Sequence, residues 1–414
     1  MGERAVVVGA GAIGVACAHY LSLEGFEVTL VDRGEVGRGC SFANAGLIVP
    51  GHSQALPAPG AVREGMRHLL RRGGPFAIRP RPDAELAKWL LAFRRSCTTE
   101  RWRRTTRVLT DLSRMSHELF EELVDSGSTR FGYERGPLIN AYLSEDWEDR
   151  AEAFARQLEV LGFSSKVLDR HELAELEPAL GDPVRGALVV EDQGSGDCFA
   201  YVRSLAEALP ARGVRVLERT PVHRVTVRRA RAIGVFTPEP VGEIEADLVV
   251  LAAGAWTPAL TASLGLRLPI QPATGYSATF RAWPGMPRRP VMLDEAHVVL
   301  LPLGDRLRFA GTLELAGFRK APDPIRYRAV VRAGNAALRE PPPTDGRAWF
   351  GFRPLTPDDL PAIGWVPNVR SVIVAAGHGT LGFTQSPATG KLVAELAAGK
   401  PSSLPMEPFR PDRF

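Results

Sequence analysis

Residues 5 to 32 constrain this chain more than any other stretch. Ala5-Val6-Val7-Val8 is an apolar, β-branched run of the kind found in a strand buried on both faces, and it leads straight into Gly9-Ala10-Gly11-Ala12-Ile13-Gly14. The period then becomes helical, with Ile13, Ala16, Cys17, Tyr20 and Leu21 on one face, until Gly25 stops the helix and Phe26 to Val31 form a second strand ending at Asp32. In such a βαβ unit Gly9 makes the tight turn, Gly11 lets backbone approach a pyrophosphate, and Gly14 lets the helix pack close to the strand. The helix N-terminus offers unpaired N–H groups and the positive end of a dipole to the phosphates. Asp32, 18 residues past Gly14, is placed to accept hydrogen bonds from an adenosine ribose, where a 2′-phosphate would meet like charge. Ala5 to Ala18 could also pass for a short secretory signal with Ala16-Cys17-Ala18 as its cleavage site. That reading accounts neither for Asp32 nor for the change of period, so the segment is expected to stay in the chain and hold a nucleotide.

Composition narrows the class. At 414 residues there is room for two domains with separate cores. A net charge of +4, with no basic and aromatic stripe, speaks against a nucleic-acid partner. Cys17, Cys40, Cys97 and Cys198 are far apart and form no CxxC pair, so neither a metal site nor a disulfide framework is expected, and a reducing, cytoplasmic setting fits. No apolar run reaches the roughly 20 residues of a membrane span.

The first unit binds an ADP moiety without saying which dinucleotide carries it. Two later segments bear on that. Ile244 to Gly254, "IEADLVVLAAG", is a buried strand entering a glycine turn, followed by Ala255-Trp256-Thr257-Pro258. Near the end, a strand from Val372 to Ala375 meets a glycine-rich turn from Gly377 to Gly382 and a helix from about Thr384. A second glycine-rich helix start suits a cofactor with a second polar group, such as an isoalloxazine whose N1/C2 carbonyl region becomes negative on reduction.

With these motifs in order, the chain resembles the D-amino acid oxidase superfamily of FAD enzymes, nearest its bacterial D-amino acid dehydrogenase branch. The resemblance runs from the first glycine motif and Asp32 through "CSFANAGLIVPG" (Cys40 to Gly51), "LPAPG" (Leu56 to Gly60), "GSGDC" (Gly194 to Cys198) and "TPV" (Thr220 to Val222). It continues through "AAGAWT" (Ala252 to Thr257), "TGYS" (Thr274 to Ser277), "GFRPLTPDDLPAIG" (Gly351 to Gly364) and "GHGTLG" (Gly377 to Gly382). It implies an α/β chain made of a glutathione-reductase-type FAD domain with a Rossmann-like βαβ core at 1–74, 193–263 and 350–414. An α+β substrate domain with a largely antiparallel sheet would fill 75–192 and 264–349. Helices are expected around 84–126 and 146–162, and strands at Leu138–Leu143, Val298–Leu301 and Leu307–Ala310.

FAD would be bound without a covalent link. The resemblance assigns to it Gly9, Gly11, Ala12, Ile13, Gly14, Asp32 and Arg33. Ser41, Asn44, Ala45, Gly46 and Leu47 would line the pyrophosphate and ring, the backbone of Val222 would meet the adenine, and Ala253, Gly254 and Trp256 would lie along the dinucleotide. Gly379, Thr380, Leu381, Gly382 and Thr384 would face the flavin O2 edge. Ser41 and Asn44 could equally cap a turn, and Val222 could simply belong to a strand.

On the substrate side, Arg353 follows the apolar run Trp349 to Phe352, a poor place for an unpaired guanidinium. Its planar fork matches a carboxylate bidentately, and the resemblance makes it the carboxylate clamp. An internal salt bridge to Asp358 or Asp359 is the alternative. Tyr276 could hydrogen-bond the substrate or be a core tyrosine. His52 could border the pocket or be structural, and His378 is expected to support its turn.

The implied reaction is oxidative deamination of a D-amino acid: hydride leaves Cα for flavin N5, and the imino acid hydrolyses to 2-oxo acid and ammonia. A secondary or imino amino acid such as glycine, sarcosine, proline or hydroxyproline is the alternative substrate, and a nonenzymatic flavoprotein the alternative from another class. None of the five lysines falls where it would activate oxygen, which favours a quinone or dye acceptor. Residues 62 to 82, basic with apolar Met66, Leu69 and Leu70, could touch the inner face of a membrane holding a quinone or could be a solvated face. Oligomeric state is left open by these residues.

Overall fold

The computed structural model describes residues 2–69 and 73–414. The valine run forms the strand Arg4–Val8, buried from Ala5 onward, which sits inside a six-stranded sheet between Glu27–Val31 and Leu248–Leu251. Arg215–Leu217 continues that sheet on one side and Val372–Ala376 on the other, all in parallel, and Ala362–Trp365 closes it antiparallel. Strands buried on both faces need apolar cover above and below. The helices Ala12–Leu23, Cys198–Ala208 and Ser386–Ala397 supply it on one face. On the other face lies a three-stranded meander, Arg224–Arg228, Arg231–Phe236 and Glu243–Glu245.

A second, ten-stranded sheet is largely antiparallel; only the pairings of Phe76–Ile78 with Arg306–Leu315 and of Val291–Leu293 with Glu134–Tyr142 are parallel. Its main path runs Arg347–Leu355, Gln271–Arg281, Arg306–Leu315, Val298–Leu303, Val291–Leu293, Glu134–Tyr142, Gly186–Ser195 and Leu47–Ile48. The helix Pro324–Ala337 covers one face through Val330 and Ala337. The expected helices appear as Ala84–Ser96, Thr99–Asp125 and Trp147–Val160. The positions 193 and 350, taken from sequence as domain edges, fall inside the strands Gly186–Ser195 and Arg347–Leu355. Those two segments, with Leu47–Ile48, give their strands to the larger sheet.

Candidate active site

Between the two sheets lies a cavity of about 1540 Å³. It receives the C-terminal ends of the parallel strands, the usual place for a ligand in an open α/β sheet. Gly9, Gly11, Ala12, Ile13, Asp32, Arg33, Ser41, Asn44, Ala45, Gly46, Leu47, Val222, Ala253, Gly254, Trp256, Gly379, Thr380, Leu381, Gly382 and Thr384 all line it, as do His52, Tyr276 and Arg353. Gly14 does not. A Cβ on Gly14 would lie 1.7 Å from the Gly9 carbonyl oxygen, so this glycine permits helix-to-strand contact and acts on the turn from behind.

The dinucleotide end is made of backbone. Gly11 caps the helix Ala12–Leu23 without a side-chain bond, and Gly11, Ala12 and Ile13 at this helix start line the cavity. Asp32 accepts from Ala10 N–H and Gly34 N–H, both at 2.7 Å, which ties the acidic strand end to the glycine turn. Ser41 Oγ accepts from Ala12 N–H at 3.1 Å, and Asn44 Oδ1 from Gly46 N–H at 2.9 Å. Both therefore have the turn-capping function considered above, while still lining the cavity. Val222 lies in the loop between two strands and not within one. The Arg33 guanidinium lies 3.9 Å from the centre of the Trp256 ring, a cation–π contact at the cavity rim.

These features fit an FAD: a cavity of about 1540 Å³ lined by the first glycine turn and the acidic strand end Asp32, and by a second glycine-rich turn, Gly379 to Gly382. That second turn is fixed to the substrate side, because Gly379 N–H donates to the Pro354 carbonyl at 2.9 Å. Thr384 Oγ1 donates to the Leu47 carbonyl at 2.9 Å. His378 is buried, bonds Thr389 Oγ1 at 3.0 Å, and is pushed down to a pKa of about 3 by burial, so it supports its turn as a neutral ring.

Arg353 stands next to Pro354 on the strand Arg347–Leu355. It is partly exposed on the cavity, and the loss of surrounding water pulls its pKa down. Its guanidinium crosses the neighbouring strand at Gly275, where a Cβ would come within 2.4 Å of Arg353 Nη1. Nη1 donates to the Thr312 carbonyl at 2.5 Å. That carbonyl is turned toward it by a bulge: the strand Arg306–Leu315 has one extra residue opposite Thr274 to Tyr276, and Thr312 has φ +66°. Among the described residues Arg353 forms no ion pair. Asp358 pairs with Arg413 at 2.8 Å, and Asp359 accepts from Leu56 N–H at 2.8 Å, so the internal salt bridge considered from sequence is absent. Cys40 lies near enough for the arginine's charge to oppose the burial that pushes its thiol up. Sequence reasoning missed Gly275, Thr312 and Cys40 as neighbours of Arg353, and only the bulge, which leaves no mark in composition, reveals Thr312.

One sequence expectation needs correction. Tyr276 borders the cavity, but successive strand residues point to opposite faces, and with Gly275 on the Arg353 face Tyr276 points to the other. Its hydroxyl donates to Glu314 Oε2 at 2.6 Å, and Glu314 in turn pairs with Arg319 at 3.1 Å, inside the core beneath Pro324–Ala337. It is a core tyrosine without a free hydroxyl proton for a ligand. His52 bonds Asn140 through Nε2 and stacks on Phe154 at 4.9 Å. The strand of Asn140 is five steps from that of Arg353 in the strand order of the sheet. Burial lowers the pKa of His52 to about 4, so it is a neutral residue of the cavity wall. Of the basic stretch 62–82, Met66 is exposed, whereas the side chain of Leu69 and residues 70–72, Leu70 among them, lie outside the described residues. Among the described residues no helix is long and apolar enough to cross a membrane.

The chain matches the family model DAO, described as FAD dependent oxidoreductase, over residues 4–396. It is 35% identical over 421 residues to the D-amino acid dehydrogenase of Paramagnetospirillum magneticum, with 99% of each chain covered. It is 32% identical over 422 residues to that of Bradyrhizobium diazoefficiens, again with 99% of each covered. The fold is similar to glycine oxidase from Geobacillus kaustophilus, with a TM-score of 0.79 at 24% identity over 100% of this chain and 99% of that one. It is also similar to L-proline dehydrogenase from P. horikoshii, with a TM-score of 0.75 at 22% identity over 100% and 98%. The βαβ glycine turn, the second glycine turn and the cavity between two sheets thus have a common origin: the chain belongs to the DAO family of FAD-dependent oxidoreductases.

Proposed function

We propose that this chain is an FAD-dependent D-amino acid dehydrogenase, which turns a D-amino acid into its 2-oxo acid and ammonia and passes the two electrons to an acceptor. The observation that carries the reading is Arg353, a guanidinium that has lost surrounding water, without a carboxylate among the described residues, opening on the cavity of the dinucleotide motif. Burying an unpaired charge costs several kcal/mol, so a scaffold that keeps one has a use for it. A substrate carboxylate supplies the missing charge. The relatives named D-amino acid dehydrogenase point to the same chemistry.

Gly9, Gly11, Ala12, Ile13, Asp32 and Arg33 would hold the ADP half of FAD, with Val222, Ala253, Gly254 and Trp256 beside it. Ser41 to Leu47 and Gly379 to Thr384 would hold the flavin half. Sheet membership supports a cofactor unit that begins again near 196 and near 356, a small shift from the edges at 193 and 350.

Bound FAD supplies the hydride acceptor. The protein's share is orientation and exclusion of water. Thr312 fixes one nitrogen of the Arg353 fork and leaves the rest of the fork for a carboxylate, which fixes the α-carbon relative to the turn joined through Gly379 and Pro354. The amine must be neutral before its α-carbon can give up hydride, and the apolar walls favour that form by penalising the ammonium. No lysine lines the cavity among the described residues, and Lys391 is paired with Glu395 at 2.6 Å, which supports an acceptor other than oxygen. A quinone or dye fits, and exposed Val62 and Met66 on the helix Ala61–Leu69 support a peripheral membrane contact of the kind that would bring a quinone within reach.

Anaerobic titration of the yellow protein tests the reading. D-amino acids should bleach the flavin, L-isomers should not, and a dye should restore the colour faster than air. Bleaching by glycine, sarcosine or proline but not by D-amino acids would overturn it, as would no bleaching at all.

A further inference from the structure

We propose that the substrate carries a large apolar side chain, received by a lobe of the cavity that adjoins Arg353; this rests on the D-amino acid reading above and narrows it. Arg353 and Leu355 share a face of their strand, two residues apart, about 7 Å at the usual rise. The face continues across the neighbouring strands with Ala273 and, beyond the bulge, Leu313 and Leu315. Over it stands the helix Ala84–Ser96, with Trp89 and Phe93 stacked at 5.2 Å and 16°. Trp89 Nε1 donates to the Leu355 carbonyl at 3.1 Å, so the ring is fixed and its polar atom is used.

Charge decides which side chains the lobe accepts. The acidic residues lining the cavity, among those described, are Asp32 and Glu35 at the dinucleotide end and Asp294, which is held by Arg150. None stands in the lobe, whereas the exposed Arg94 lies at its rim. A cationic side chain would lose its hydration, find no carboxylate and meet Arg94. An anionic one would be stripped of water among aromatic rings. A methyl group would make fewer contacts with the part-exposed Leu313 and Phe93.

The test is dye-coupled kcat/KM of the holoenzyme with D-leucine, D-methionine, D-phenylalanine, D-alanine, D-lysine and D-glutamate. A parallel tryptophan-quench titration uses acids that cannot be oxidised: 4-methylpentanoate, acetate and 6-aminohexanoate. One methylene in an apolar pocket discriminates by about 10-fold or more, so D-leucine, three carbons larger, should exceed D-alanine by about 1000-fold, and the branched acid should bind tightest. Leu313→Ala should shrink the leucine-to-alanine ratio at least about 10-fold. Phe93→Glu should raise the lysine-to-leucine ratio by as much. D-alanine equal to D-leucine, or D-lysine equal to D-leucine, in the unmodified protein overturns the proposal while leaving the D-amino acid reading intact. Bleaching by no D-amino acid overturns that reading instead.

Discussion

Arg308 and Arg353 sit on the same face of one sheet, on strands separated only by Gln271–Arg281, and loss of surrounding water lowers the pKa of both. Their surroundings differ. Arg308 is 3% exposed and fully engaged: Nε donates to Thr279 Oγ1 at 3.2 Å, Nη1 to the Asn44 carbonyl at 3.1 Å, and Asp197 lies 3.9 Å from Nη2. Arg353 has one carbonyl and a cavity. The first is a brace that holds the loop lining the cofactor end to the sheet. The second is a charge kept available for a ligand. A buried arginine thus says little until its partners are known.

The largest effect expected from breaking this contrast is at Arg353. Arg353→Ala removes the clamp; losing a charge-assisted, bidentate contact to a carboxylate is worth about 3 kcal/mol or more, so KM should rise by about 100-fold or beyond. FAD absorbance per protein should stay that of the parent. An unchanged KM means the carboxylate is held elsewhere.

Arg308→Met should do the reverse. Asp197 keeps Arg306 at 3.3 Å but loses its buried partner, and the Asn44 loop loses its brace. A stability loss on the order of 3 kcal/mol in denaturant unfolding is expected, with FAD released more readily and KM within about threefold of the parent. A KM rise matching that of Arg353→Ala would erase the distinction between brace and clamp.

How much of this is legible in the sequence depends on whether a role is local. The first glycine turn, its helix and Asp32 lie within 28 residues, and each residue's task follows from its neighbours. Arg353 is legible as a misplaced charge among apolar residues, but its freedom is not: it depends on Arg413 taking Asp358 and Leu56 occupying Asp359. Tyr276 illustrates the limit of motif reading. The pair Gly275-Tyr276 belongs to the site, yet it is the glycine that faces the arginine, since one step along a strand exchanges the faces. Register and the bulge at Thr312 are set by pairing between strands far apart in the chain, and no window of sequence contains them.

Asp359 sharpens the contrast from the other side. It is 5% exposed, has φ +65°, and burial pushes its pKa up to about 7 from an ordinary value of 3.8. The folded state therefore binds more protons than the unfolded one between these values, so this group's contribution is full below pH 3.8 and is lost as pH rises to 7. Asp359→Asn keeps an acceptor for Leu56 N–H without the charge. It should leave melting below pH 3.8 nearly unchanged, and raise Tm progressively above it, by a few degrees at pH 8. Were Asp359 the counter-ion of Arg353, the same change would lower Tm at pH 8.

The smallest effect on turnover is expected at Tyr276. Its hydroxyl is spent on Glu314, on the face opposite Arg353, so Tyr276→Phe removes nothing that a substrate touches. Glu314 keeps Arg319 at 3.1 Å but loses a donor, and a buried acceptor left short costs about 1–3 kcal/mol. Thermal unfolding should therefore shift down by a few degrees, while kcat/KM for a D-amino acid stays within about threefold of the parent at every pH where the protein is folded. A large loss of kcat/KM with unchanged Tm would require the phenol to reach the ligand, and with it a rotation of this strand's faces that would carry Gly275 away from Arg353.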